Sequence, residues 1–289
     1  MTNSSEPEPL TKEICLHIAQ TIEDGFERHA VEIRPHSDIA MLIKDTLWLA
    51  DHLDTSPERL TRKELDRWIH AFLRVQQGRN ISFTFERLIN AQIPQEKLRI
   101  LQKRLDYLGE KGDSHAPEVF FELEVAGRIA RQYPGWKILF EEPDIIIEYP
   151  TGRVALSCKK AKSERNLSKR LSEAADQGAR AKVPFFVIVD AQEILGSPFP
   201  EKLVRASTQE DLAAKCSGFL ADLIVRCSKP IATALDKGAG GVIFCARCVG
   251  LVEKPRLSLC WCLRHQCCPN LSIRDTGYAL KYLVQMMEE

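Results

Sequence analysis

Apolar residues recur every three to four positions through the first third of the chain. Ile14, Ile18, Ile22 and Phe26 form one helical stripe, and Ile39, Leu42, Ile43, Leu47 and Ala50 form a second. Thr61 and Glu64 have the spacing of a capping box ahead of Leu65, Trp68, Ile69 and Phe72, with Gly78 as the expected stop. A fourth stripe opens near Pro94 and carries Leu98, Leu101, Leu105 and Leu108 up to Gly109. The pattern predicts an all-helical region over residues 10–112, behind a polar, acidic tail at 1–9 that is expected to be disordered.

After a stretch of helix-breaking residues at 111–117, read as a linker, the period changes. A helix is expected over 118–132, closed by Tyr133-Pro134-Gly135. Short strands follow at 136–140, 144–149 and 154–158, the last two reversed by a turn at Pro150-Thr151-Gly152. A charged helix is expected over 167–182. The run 185–190 is apolar on both faces, as a central buried strand should be. The last third predicts helices at 211–227 and 231–236, strands at 241–252 and 256–263, and an amphipathic stretch at 278–287. No internal repeat is present.

Composition narrows the function classes only slightly. The chain has 289 residues, and its 40 basic and 40 acidic side chains cancel, so a nucleic-acid surface must be local. One such local excess exists. Between Lys159 and Lys182 stand eight basic residues against the acidic Glu164, Glu173 and Asp176. Lys160, Lys162, Arg165, Lys169 and Arg170 are the candidate nucleic-acid contacts. Without interleaved aromatics they suit phosphate contact rather than base stacking.

No apolar run approaches the roughly 20 residues needed to cross a bilayer, and the polar start is unlike a secretory signal. A cytoplasmic protein without membrane association is expected. Its ten cysteines are unevenly spread, with six between Cys245 and Cys268, which suits reduced thiols. Cys245 and Cys248, Cys260 and Cys262, and Cys267-Cys268 leave two readings open, a zinc module and buried core cysteines. Strand periodicity favours the second, since Cys245 and Cys248 would face opposite sides. Cys158, beside Lys159, is the only thiol whose pKa is expected to be lowered. The histidines are scattered at no metal-ligand spacing.

The densest chemistry lies in Glu141-Glu142-Pro143-Asp144, which opens one apolar strand, and Ser157-Cys158-Lys159-Lys160, which closes the next. Paired antiparallel strands bring the start of one beside the end of the other, so Asp144 and Lys159 should share one end of a hairpin. That pairing suits metal-assisted phosphodiester hydrolysis.

With the order helix, three strands, helix, strand, this motif resembles the PD-(D/E)XK, or restriction-endonuclease-like, superfamily over residues 118–190, extending toward 263. The resemblance implies an α/β domain over 118–289, with an αβββαβ core and a mixed sheet behind the all-α N-terminal region. It implies Glu122 and Asp144 as ligands of Mg²⁺ or Mn²⁺, with Glu124 as the second choice for Glu122. Lys159 would serve the nucleophile or phosphate, and Gln177 would be an auxiliary catalytic residue. The implied activity is metal-dependent hydrolysis of nucleic acid, DNA favoured over RNA, by an enzyme that many members of the fold run as a homodimer.

Ser157 departs from the pattern, standing where Glu or Asp is expected. A hydroxyl is a neutral, weaker ligand for a hard cation. Glu142 or Glu148, at even offsets from Asp144, could replace the missing carboxylate. One cation on Glu122 and Asp144 could suffice, or the fold could be a catalytically degenerate module that only binds nucleic acid or protein. A zinc-stabilised interaction protein is the third reading.

Overall fold

The computed structural model describes residues 10–55, 59–87, 93–102, 116–195, 204–252 and 256–267, side chains at 116 and beyond 246 excepted. The N-terminal tail, most of the linker, Leu105, Leu108, Cys268 and the stretch at 278–287 lie outside the described residues.

The N-terminal helices form where the apolar stripes and their caps predict. Thr11 caps α1 (Lys12–Arg28), which buries Ile18, Ile22 and Phe26, and Ser37 caps α2 (Asp38–Ala50). The capping box opens α3 (Arg62–Arg87), because Thr61 N donates to Glu64 Oε2 at 2.9 Å and Glu64 N to Thr61 Oγ1 at 3.3 Å. Gly78 does not stop this helix. It lies inside α3, where a Cβ would stand 3.2 Å from Ile18 Cγ2 and 3.4 Å from Leu42 Cδ2, so its small size lets α1 and α2 close on α3. The stripe near Pro94 yields a short α4 (Gln95–Ile100), anchored by the buried Leu98 and Leu101.

α5 (Ala116–Gln132) joins these helices to the sheet. It crosses α3 so closely at Gly127 that a Cβ there would lie 1.9 Å from Asn80 O. Thr84 Oγ1 donates to Leu123 O at 2.7 Å and Asn80 Nδ2 to Glu124 Oε1 at 3.2 Å across the same crossing. Glu124 therefore serves the helix–helix contact. Glu122, two residues earlier and hence on the other side of the helix, is turned toward the sheet.

The protein is mixed α/β, with a seven-stranded mixed sheet. After α5 come β1 (Lys137–Leu139), β2 (Ile145–Tyr149), β3 (Gly152–Lys160), α6 (Glu164–Arg180) and β4 (Phe185–Asp190), so the expected helix, three strands, helix, strand order is present. The chain continues through α7 (Gln192–Leu195), β5 (Val204–Ala206), α8 (Gln209–Arg226), α9 (Ser228–Asp236), β6 (Gly241–Val252) and β7 (Arg256–Cys267). β1, β2 and β3 are antiparallel, β3 runs parallel to β4 and β4 to β6, β5 pairs parallel with the far end of β6, and β7 lies antiparallel along β6. β7 outruns its expected end at 263 because the β6–β7 ladder extends to the Gly241–Cys267 pair. α6 begins before 167 because Ser163 caps it, its Oγ accepting from Asn166 N.

β4 is buried along all six residues, as its apolar run requires. Alternation divides the sheet into two layers. Ile145, Ile147, Leu156, Phe186, Ile188 and Ile243 share a core with α1–α5. Ile146, Ala155, Val187, Val189 and Val242 pack with α6, α8 and α9 on the other face. The N-terminal helices thus join the core on this face of the sheet through α5.

Candidate active site at the β2–β3 hairpin

The site follows from strand register. Pro143 and Asp144 lead into β2, the Glu142–Pro143 peptide being cis, and Ile145 pairs with Leu156. One step past that pair, Asp144 meets Ser157. Asp144 Oδ2 accepts three hydrogen bonds, from Ser157 Oγ at 3.1 Å, Cys158 N at 2.8 Å and Lys159 Nζ at 3.1 Å. The Lys159–Asp144 ion pair is nearly closed to water, with side-chain exposures of 6% and 11%. From α6, the Gln177 amide comes within 3.5 Å of the Ser157 hydroxyl.

Glu122 reaches the same place from α5, and Lys97 of α4 donates to its Oε2. Burial, then the nearby Asp144 carboxylate, pushes the Glu122 carboxyl up to about 7, against the opposing pull of Lys97 and Lys159. Burial also raises the Asp144 carboxyl, opposed by Lys159, the Cys158 N–H and Lys97. Two carboxylates and two ammonium groups thus share one field inside the protein. Buried charges of one sign held close together are costly, and each lysine offsets part of that cost.

Of the four predicted residues, Asp144 and Gln177 meet the Ser157 hydroxyl, Lys159 joins through Asp144, and Glu122 shares their electrostatic field. Lys97 joins them unpredicted, since it belongs to no motif and lies 25 positions before Glu122. Of the alternatives for the missing acid, substitution by a neighbouring carboxylate is not the one observed. Glu148 pairs with Lys137 at 3.2 Å and Arg153 at 2.9 Å, while the exposed Glu142 pairs with Arg180 at 3.1 Å.

The thiol expectation is reversed. Cys158 is fully buried, and its thiol is raised well above the ordinary value by burial, then by Asp144 and Glu122, which outweigh Lys159. It does not fit a nucleophile.

The basic stretch is largely engaged within the fold. Lys160 pairs with Asp190 at 3.4 Å, Lys169 with Glu173 at 3.7 Å, and Arg170 with Glu118 at 2.8 Å and Glu173 at 3.2 Å. Lys162 and Arg165, at the start of α6, are exposed and make no ion pair among the described residues.

Glu122 and Asp144 are the carboxylates that could hold a cation, with the Ser157 hydroxyl and the Gln177 amide as neutral oxygens beside them. Among the described residues, no group of three or more His, Cys, Asp or Glu side chains is placed to hold a metal ion. Cys245 is a buried thiol whose Sγ donates to Val189 O at 3.3 Å. Cys15, Cys158, Cys216 and Cys227 are buried as well. No described helix is long and apolar enough to cross a membrane. No protein-family model, curated protein or solved structure matches this chain.

Proposed function

We propose that this chain is a metal-dependent nuclease of the PD-(D/E)XK, restriction-endonuclease-like kind, hydrolysing phosphodiester bonds of nucleic acid. The observation that carries the reading is the convergence of Glu122, Asp144, Lys159 and Gln177 at one end of the β2–β3 hairpin. The order α5-β1-β2-β3-α6-β4 and the parallel β3–β4 pair surround it. Hairpin register brings Asp144 to Lys159, α5 and α6 add Glu122 and Gln177, and together they have the composition that phosphodiester hydrolysis uses.

The donor set fits a hard divalent cation. Mg²⁺ is commonly held by one or two carboxylates, keeping several waters and adding substrate phosphate oxygens. Two buried carboxylates, both raised by burial and Glu122 raised further by Asp144, are the arrangement that such a charge relieves. Glu122 and Asp144 would hold Mg²⁺ or Mn²⁺. When bound, the ion would activate water and stabilise charge on the phosphate.

The chain's own residues supply the rest. Asp144 fixes the Lys159 ammonium at the site, where it orients the nucleophile or balances a phosphate oxygen. Ser157 and Cys158 N hold the Asp144 carboxylate in one orientation. Gln177 adds a neutral polar group over the hydroxyl. Lys162 and Arg165 offer exposed charge to the nucleic-acid backbone. With Ser157 in place of an acid, cation affinity is lower than a third carboxylate would give. The reading keeps the expected cytoplasmic setting, DNA as the favoured substrate and a homodimer as the implied assembly.

One observation favours a second reading. The Lys97–Glu122 and Lys159–Asp144 pairs leave the site charge-balanced without a cation, as in a fold that binds nucleic acid and does not cut it. Cleavage assays on single- and double-stranded DNA and RNA separate the two. A nuclease cuts only with Mg²⁺ or Mn²⁺ and loses activity in Asp144→Ala. A binding module cuts nothing, and its salt-sensitive binding survives both that substitution and chelation.

A further inference from the structure

The lysine that holds Glu122 belongs to a different part of the chain from the hairpin, and its position makes it more than a neutral bystander. α4 is fixed by the buried Leu98, while Gln95 Nε2 donates to His29 O at 3.0 Å and Gln102 Oε1 accepts from Arg34 N at 2.7 Å beside it. The helix thus presents Lys97 to Glu122 from a firm base. The lysine side chain retains 20% exposure where Glu122 retains 6%, so the ammonium lies between the buried carboxylate and solvent. Its flexible four-carbon stem allows the charge to swing while the helix stays in place.

We infer that Lys97 is an internal counter-cation of the metal site. It occupies Glu122 in the metal-free protein, has to leave for a divalent cation to bind, and then turns to a phosphate of the nucleic-acid backbone. The inference rests on the metal-dependent reading of the same site. Its physical content is competition for one oxygen. Glu122 Oε2 accepts from Lys97, and a cation at that oxygen would stand against an ammonium it repels.

Displacement frees a second positive charge in the field that the Lys159 ammonium already occupies, and a polyanion stabilises both. Cation and nucleic acid then favour each other's binding, since any coupling between two ligands is reciprocal. Lys97 thus deepens the substrate class to a phosphate-rich polymer that bridges two lysines.

Titration of the full chain with Mn²⁺ alone, followed by calorimetry and by the electron paramagnetic resonance of free Mn²⁺, tests this without reference to activity. Lys97→Met and Lys97→Gln are compared with wild type and with Asp144→Asn, each checked for folding by circular dichroism. Removal of the competing ammonium is expected to tighten Mn²⁺ binding by roughly tenfold, equivalent to about 1.4 kcal/mol, in both Lys97 variants, and Asp144→Asn to abolish it. Binding that is unchanged or weaker in both Lys97 variants, yet lost in Asp144→Asn, overturns the role of Lys97 and leaves the metal site standing. No Mn²⁺ binding by any of the proteins overturns the metal reading and the inference together.

Discussion

The Ser157 hydroxyl donates to Asp144 Oδ2 over 3.1 Å, at the position on β3 where the resembled pattern carries an acid. It therefore steadies Asp144 without adding negative charge. Removing that bond in Ser157→Ala should cost about 1–2 kcal/mol, since the bond is buried and its acceptor is a carboxylate. Ser157→Asp should be the less stable variant in chelator, with three acids in one buried field, and should gain more from Mn²⁺ than wild type does. Urea denaturation with and without Mn²⁺ checks both. Equal Mn²⁺ responses in the two proteins would show that residue 157 does not face the cation.

Glu122 gives stability a pH dependence of defined sign. Its folded pKa, about 7, lies above its ordinary value of 4.5. Between these values the folded state holds a proton that the unfolded state has released, so stability falls as pH rises through the window. In chelator the loss between pH 5 and 8 should be on the order of 2 kcal/mol, and Glu122→Gln should remove most of it. The raised Asp144 carboxyl acts in the same direction, so any residual slope in Glu122→Gln reports Asp144. A stability that rises over this range would contradict the assignment.

Gly127 and Gly218 make a matched pair. A Cβ at Gly127 would lie 1.9 Å from the backbone oxygen of Asn80, whereas one at Gly218 in α8 meets nothing within 4 Å. Gly127→Ala must push α3 from α5 and should cost about 3 kcal/mol or more. Gly218→Ala should stabilise by roughly 0.5–1 kcal/mol through helix propensity alone. Equilibrium denaturation of the two variants checks the closeness of the α3–α5 crossing.

The exposed, unengaged charges at the N-terminal end of α6, Lys162 just before it and Arg165 in its first turn, should dominate phosphate contact. Lys162→Glu and Arg165→Glu are expected to weaken binding to a DNA duplex, and neutral substitutions at these positions should each lower the slope of log affinity against log salt by about 1. Lys169→Gln and Arg170→Gln should change it less, because Glu173 and Glu118 already pair with them. Fluorescence anisotropy across a salt series reads these slopes. Equal slopes for all four neutral variants would show that the intramolecular pairs do not restrain Lys169 and Arg170.

The parts of the site visible in the sequence depend on local rules. The Asp144–Lys159 relation follows from hairpin register, whereas Glu122 and Gln177 are implied only by the resemblance to the PD-(D/E)XK pattern. What could not be read depends on contacts between distant segments. Lys97 carries no motif, and nothing in its neighbourhood indicates that α4 would meet α5. Lys160, Lys169 and Arg170 look available until Asp190, Glu173 and Glu118 are found beside them. Gly78 has the local signature of a helix stop and instead marks close packing, because tertiary contact with Ile18 and Leu42 outweighs its propensity. Cys158 stands next to Lys159 in the sequence, but burial within the sheet dominates its titration.

The most direct test of the central claim is the initial rate at which pure wild-type protein cleaves DNA with Mn²⁺, measured beside Asp144→Ala and Lys159→Ala under the same conditions. Cleavage that requires the metal and falls at least about a hundredfold in both variants is the predicted result. No cleavage by wild type, or equal cleavage by all three proteins, would contradict the assignment of this site to phosphodiester hydrolysis.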